Sequence, residues 1–174
     1  FKIKAMKYFG AIDQGTTSSR FIVFDESGSI IKQHQQEFTQ YFPDEVSVEH
    51  DPNEIWESVL NCIKEVDKEF LIDQLDSIGI TNQRETTLAW RRSTAEPLHN
   101  ALVWQDTRTQ NICDELKDIN ELEESFTRTG LPIATYFSLS KILWLLRNVD
   151  DVKQAREDND LCFGTVDSWL LFKL

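Results

Sequence analysis

Two β-rich runs near the start of the chain constrain its fold most. Residues 7–12 (KYFGAI) and 20–25 (RFIVFD) are joined by the polar turn D-Q-G-T-T-S-S. Asp25-Glu26-Ser27-Gly28 is a second turn signal, and residues 30–38 then read as a third strand. Three strands joined in this way form a β-meander. Beyond the meander, strands alternate with helices. The expected class is therefore α/β, with a mixed sheet that starts from a three-stranded meander and is flanked by helices.

The alternation is legible in places. Asp51-Pro52 supplies a cap residue followed by proline at the first helical position. Ile55, Val59, Cys62, Ile63, Val66 and Phe70 then recur at helical spacing, which predicts an amphipathic helix with one buried face. Residues 77–80 and 86–90 read as strands, the first of them buried, with the polar cluster T-N-Q-R-E between them. Ligands of open α/β sheets bind at the carboxyl ends of strands, so this cluster is a candidate site on position alone. Residues 101–104 read as a strand and 106–117 as a helix. Thr129-Gly130-Leu131-Pro132 interrupts the helical pattern, and Ser138 or Ser140 is expected to cap the next helix. Residues 161–166 return to strand, and 167–174 (DSWLLFKL) read as the start of a buried helix.

Composition bounds the functional classes. The 174 residues suffice for one domain, or one and a part, with a real core. A chain that is 40% hydrophobic and 28% charged is globular rather than disordered. Its net charge of −12 disfavours nucleic acid and anionic membranes as partners. No apolar run approaches the roughly 20 residues of a membrane span, and no signal-peptide core is present. Cys62, Cys113 and Cys162 are too few and too dispersed for a disulfide framework or a C-x-x-C site, which points to reduced thiols and a cytoplasmic location. Residues 1–5 precede the only methionine, Met6, and read as a vector-derived extension. The apolar finish at Leu174, without a C-cap signal, is expected of a fragment of a longer chain.

Three sets of residues can carry chemistry. In the first turn, Gly15 allows close backbone approach, and the hydroxyls of Thr16, Thr17 and Ser18 can hold phosphate oxygens beside Arg20. Asp13, at the end of the first strand, can order a hydrated Mg²⁺. The same turn can also be a plain polar hairpin, and it lacks the G-x-x-x-x-G-K pattern. Arg84 and Glu85 place a donor fork beside a two-oxygen acceptor, suited to the hydroxyls of a small polyol or equally to a surface ion pair. Trp104 and Tyr136 can form an apolar wall with a phenol hydroxyl, or sit in the core. His34, His50 and His99 lack metal-ligand spacing, and the acidic stretch 114–124 reads as a solvated helical face.

At these residues the chain resembles the glycerol kinases. They are carbohydrate kinases that share the actin, hexokinase and Hsp70 fold, an actin-like, ribonuclease H-like domain. The resemblance runs from Met6 to Leu174 through Y-F-G-A-I-D-Q-G-T-T-S-S-R, V-E-H-D-P-N-E-I-W, G-I-T-N-Q-R-E-T-T, A-L-V-W-Q-D-T-R-T, T-G-L-P-I-A-T-Y-F-S and F-G-T-V-D-S-W-L-L. It implies that Arg84 and Glu85 hydrogen-bond glycerol, that Trp104 packs on its carbons, and that Tyr136 contacts a hydroxyl. It further implies Gly15, Thr16, Thr17 and Ser18 around the transferred phosphoryl group, Arg20 near the nucleotide phosphates, and Asp13 positioning Mg²⁺. The cofactors implied are ATP and Mg²⁺, and the full-length assembly a homo-oligomer.

By the same resemblance, residues 6–174 are the N-terminal part of the glycerol-side domain. The catalytic base and the nucleotide-side domain would lie beyond Leu174, so these residues alone are not expected to turn over. Leu139, where a small residue is expected, and Ala134-Thr135, where proline is common, depart from the family pattern. A kinase of another sugar or polyol, and a non-catalytic actin-like binding module, are the rival readings.

Overall fold

The computed structural model describes residues 6–119 and 127–174. The proposed extension 1–5, and the part of the acidic stretch from residue 120 onward, lie outside the described residues. In chain order the elements are β1 (Tyr8–Gln14), β2 (Ser18–Asp25), β3 (Ile30–Glu37), β4 (Glu49–His50), α1 (Pro52–Asp67), β5 (Leu75–Asn82), β6 (Thr87–Arg91), β7 (Ala101–Leu102), α2 (Gln110–Lys117), α3 (Ser138–Asn148), α4 (Asp150–Glu157), β8 (Leu161–Thr165) and α5 (Val166–Lys173). They fall into two compact units, residues 1–39 with 53–83 and residues 40–52 with 84–174.

The first unit holds the expected meander inside a mixed sheet of order β3-β2-β1-β5. β1 and β2 are antiparallel, with Asp13 opposite Arg20, while β1 and β5 run parallel. Alternation along β2 buries Ser19, Phe21 and Val23. Ile55, Val59, Cys62 and Val66 are the buried stripe of α1. Ser58 and Cys62 donate to the Ser19 hydroxyl and carbonyl, at 2.8 and 3.3 Å, and so tie the helix to β2. Gly10 is required by close packing: a Cβ there would lie 3.0 Å from the Phe21 ring and 3.1 Å from Ile78 and Leu75. β5 differs from the buried strand expected. It is an edge strand with a mostly exposed pattern, Ile78 included, since among the described residues only β1 pairs with it.

The second unit contains a separate sheet, β4-β7-β6-β8, whose pairings are all antiparallel. Ala89, Leu102, Leu145 and Val152 form its central cluster, against which Trp144, Leu146 and Phe163 pack. α5 is buried on one face only. Val166, Trp169 and Leu170 are inside, whereas Leu171, Phe172 and Leu174 are exposed.

Helix α2 starts four residues later than expected because Asp106 draws the preceding segment into a turn. Its buried carboxylate accepts from the backbone N–H of Val48 (2.8 Å), the N–H of Arg108 (3.0 Å) and the Arg108 Nε. The Arg108 guanidinium also donates to Glu49 at 2.7 Å and lies over the Trp144 ring. Burial works against its charge. Hydrogen bonds to Asp106 and Glu49 outweigh that effect and hold its pKa above the ordinary arginine value.

Candidate functional site

In the first unit, β1 and β2 meet in a tight hairpin that carries one candidate set. Its closing contact is the Gly15 N–H to the Ser18 carbonyl, 2.9 Å. Asp13, Gly15, Thr16, Thr17, Ser18 and Arg20 therefore all sit on one hairpin end. Gln35 of β3 holds two of them, donating to the Ser18 hydroxyl at 2.9 Å and accepting from Arg20 at 2.8 and 3.2 Å.

Beneath the hairpin lies a support that the sequence reading missed. Gln14 is fully buried and donates to the Gly15 carbonyl at 2.7 Å. Gln83, the residue after β5, donates to the Gln14 side chain at 3.1 Å and to the same carbonyl at 3.2 Å. Two interlocked amides thus fix the glycine of the turn. Among the described residues no group of three or more His, Cys, Asp or Glu is disposed to hold a metal. Asp13 offers a single half-buried carboxylate, a donor that suits a magnesium ion held partly by water rather than in an all-protein cage.

In the second unit three candidates come together. Glu85 has a left-handed backbone, φ +66°, which is uncommon outside glycine and costs energy unless its surroundings enforce it. Its carboxylate accepts from the N–H and hydroxyl of Ser138, at 2.9 and 2.8 Å. Its carbonyl accepts from Thr87 at 3.0 Å and from the Ser138 hydroxyl at 3.3 Å. Thr86 is buried, and its hydroxyl accepts from the Trp104 N–H at 3.3 Å. The Trp104 and Tyr136 rings meet edge to face, with centroids 5.6 Å apart. Arg84 is exposed and, among the described residues, forms no ion pair with the adjacent Glu85.

Neither serine caps α3 as expected. Phe137 occupies the cap position, Ser138 turns its hydroxyl to Glu85, and Ser140 is buried against the Thr109 hydroxyl at 2.9 Å. An apolar cavity of about 240 Å³, lined by Glu85, Leu131, Ile133, Phe137 and Ser138 among others, touches this cluster only at its edge. Arg84, Trp104 and Tyr136 do not line it.

A third residue missed from sequence, after Gln14 and Gln83, is Lys141. It is fully buried in α3, where its ammonium donates to the carbonyls of Thr135 and Tyr136. Burial pushes its pKa down to about 8, against the opposing pull of Asp106 and Glu85. A charged residue that follows Ser140 in a helical run carries no signal of its own burial, so periodicity does not reveal it.

Residues 8–174 match the N-terminal domain of the FGGY family of carbohydrate kinases. The chain is 52% identical over 171 residues to a glycerol kinase of Borrelia garinii subsp. bavariensis, covering 97% of this chain and 34% of that protein. It is 51% identical over 170 residues to a glycerol kinase of Staphylococcus haemolyticus, with the same coverage. Among solved structures, Plasmodium falciparum glycerol kinase with ADP superposes with a TM-score of 0.86 at 36% identity, over 96% of this chain and 34% of that one. Gluconate kinase from Lactobacillus acidophilus shares the fold, with a TM-score of 0.82 at 20% identity. The chain thus spans about a third of the length of the curated relatives it matches. By sequence match and by architecture, the chain belongs to the FGGY family of carbohydrate kinases, with its residues 8–174 along the family's N-terminal domain.

Proposed function

We propose that the full-length protein transfers the γ-phosphoryl group of ATP to a terminal hydroxyl of glycerol, giving glycerol 3-phosphate. The observation that carries this reading is the cluster in the second unit. An oriented carboxylate at Glu85 and an aromatic wall of Trp104 and Tyr136 come together there, and the exposed Arg84 directly precedes Glu85 in the chain. Each hydroxyl of a small polyol both donates and accepts, so a carboxylate and a guanidinium can satisfy several at once while the aromatic faces cover the carbons. The identity of 51–52% to proteins named glycerol kinase supports the same acceptor.

Within residues 1–174 the two candidate sets take different substrates. Arg84 and Glu85 bind and orient the acceptor, and Tyr136 contacts one of its hydroxyls. The hairpin Gly15–Ser18 receives the transferring group through backbone N–H groups and the hydroxyls of Thr16, Thr17 and Ser18, with Arg20 near the nucleotide phosphates. Asp13 would hold magnesium through water, and that ion would offset phosphate charge. We assign no general base among these residues. Phosphoryl transfer depends chiefly on positioning and on neutralising charge, so residues that only bind and orient contribute directly to rate. The free thiols Cys62, Cys113 and Cys162 suit a cytoplasmic enzyme.

The test is ATP consumption by the full-length protein with glycerol, xylulose, ribulose, gluconate and erythritol as acceptors. Selective turnover of glycerol is the expected result. Turnover of another acceptor would retain the phosphate hairpin but overturn the substrate, and nucleotide binding with no transfer to any acceptor would overturn the kinase reading.

A further inference from the structure

Lys141 occupies a site that physical chemistry disfavours. A buried ammonium is costly unless charge or hydrogen bonds replace its water. No carboxylate among the described residues lies within ion-pair distance of it, and its partners are two backbone carbonyls, those of Thr135 and Tyr136. One of these residues leads into the aromatic wall and the other forms it. The same short segment is closed by the Phe137 N–H to the Ala134 carbonyl, 3.2 Å, and ends at Ser138, whose N–H and hydroxyl both reach Glu85. The segment is thus gripped at two points, and the two points set Tyr136 and Glu85.

We propose that Lys141 and Ser138 are positioning residues for acceptor binding: Lys141 fixes the backbone that carries Tyr136, and Ser138 fixes the carboxylate of Glu85. This rests on the reading of Glu85 and Tyr136 as acceptor-binding residues. Neither Lys141 nor Ser138 needs to touch the acceptor. A lysine kept only for packing would be replaced by methionine at little cost. A lysine kept for its donors makes the wall dependent on a charge that the acceptor never meets.

The experiment uses the full-length protein. The acceptor panel is run first on the wild type, so that failure of the glycerol reading appears there and not in the variants. KM and kcat are then measured for Lys141→Met, Lys141→Arg and Ser138→Ala, with the acceptor that the wild type uses. Lys141→Met is expected to raise acceptor KM about tenfold or more while kcat and the KM for MgATP change less than about threefold. Lys141→Arg, which keeps charged donors, should recover most of that loss. If Lys141→Met does not fold, Ser138→Ala carries the test, with an acceptor KM raised about fivefold.

The proposal is overturned if a folded Lys141→Met or Ser138→Ala protein keeps its acceptor KM. It is equally overturned if Tm falls while KM stays put, because Glu85 would then merely cap α3. Should the wild type use no acceptor in the panel, hydrogen exchange decides. The amides of residues 134–139 should exchange at least about tenfold faster in the variants, and unchanged protection there would sink the clamp.

Discussion

Ser138 places its backbone N–H and its hydroxyl on the same oxygen of Glu85, at 2.9 and 2.8 Å, across 53 positions of sequence. Hydrogen bonds to an ionised acceptor are about twice as strong as neutral ones. Two of them on one oxygen select a single carboxylate orientation, and they help to hold the left-handed backbone at Glu85. The other carboxylate oxygen receives no bond from Ser138 and can accept from a substrate hydroxyl.

The acceptor set predicts a separation of activity from stability at Arg84. Because Arg84 is exposed and unpaired among the described residues, Arg84→Ala should change folding stability by less than about 0.5 kcal/mol. Losing the charge-assisted hydrogen bonds proposed between it and the acceptor, worth about 1.5–3 kcal/mol, should lower acceptor kcat/KM by about 10- to 100-fold. Steady-state kinetics and thermal unfolding on the same preparation check both. Unchanged acceptor kinetics would remove Arg84 from the set.

Gln83 should act on the other substrate. Replacing it with Ala removes both of its bonds beneath the β1–β2 hairpin and leaves the buried Gln14 side-chain oxygen unsatisfied. The expected loss is about 1–3 kcal/mol of stability. With the turn braced by Gln14 alone, the KM for MgATP should rise severalfold and acceptor KM should stay near its wild-type value. A rise in acceptor KM alone would assign Gln83 elsewhere.

Gly164 tests the core of the second unit. A Cβ on it would lie 2.7 Å from the Ser168 Cβ and 2.9 Å from the Trp90 ring. The Trp90 ring is itself held against Trp169 and Phe172, with centroids 5.5 and 5.6 Å away. Gly164→Ala should therefore cost about 1–3 kcal/mol, the range of overpacked cores. Denaturant unfolding with an unchanged midpoint would mean that β8 and α5 can spread apart freely.

Lys141 should leave a signature in alkaline stability. Its pKa is about 8 in the folded protein against 10.5 as the reference value, so between these limits the unfolded state binds the extra proton. Stability rises with pH wherever the unfolded state binds more protons. The buried charge therefore costs its full amount below about pH 8, and that cost is relieved as pH climbs toward 10.5. The relief is on the order of 3 kcal/mol at most. Urea unfolding of wild type and Lys141→Met from pH 7 to 10 isolates it: the stability difference should shift in favour of the wild type as pH rises, and parallel curves would contradict the burial of the ammonium.

Features set by neighbours in sequence were legible without the fold. The meander comes from β-rich runs broken by D-Q-G-T-T-S-S and D-E-S-G, and α1 comes from Asp51-Pro52 and the spacing of Ile55, Val59, Cys62 and Val66. Such patterns are local, because strand and helix periods repeat every two and about 3.6 residues. The hairpin residues were legible for the same reason, since they are contiguous.

The supports of the candidate site were decided only by tertiary structure. Gln83 meets Gln14 across 69 positions, and Asp106 meets the N–H of Val48 across 58. Lys141 comes after a polar serine in a helix whose pattern does not single it out, and only the fold of residues 134–138 brings two carbonyls to its ammonium. The physical reason is common to all three. Burying a polar group demands a partner, but the demand does not specify where in the chain that partner stands. The candidate site residues were therefore written in the sequence, and the residues that hold them in place were chosen by packing.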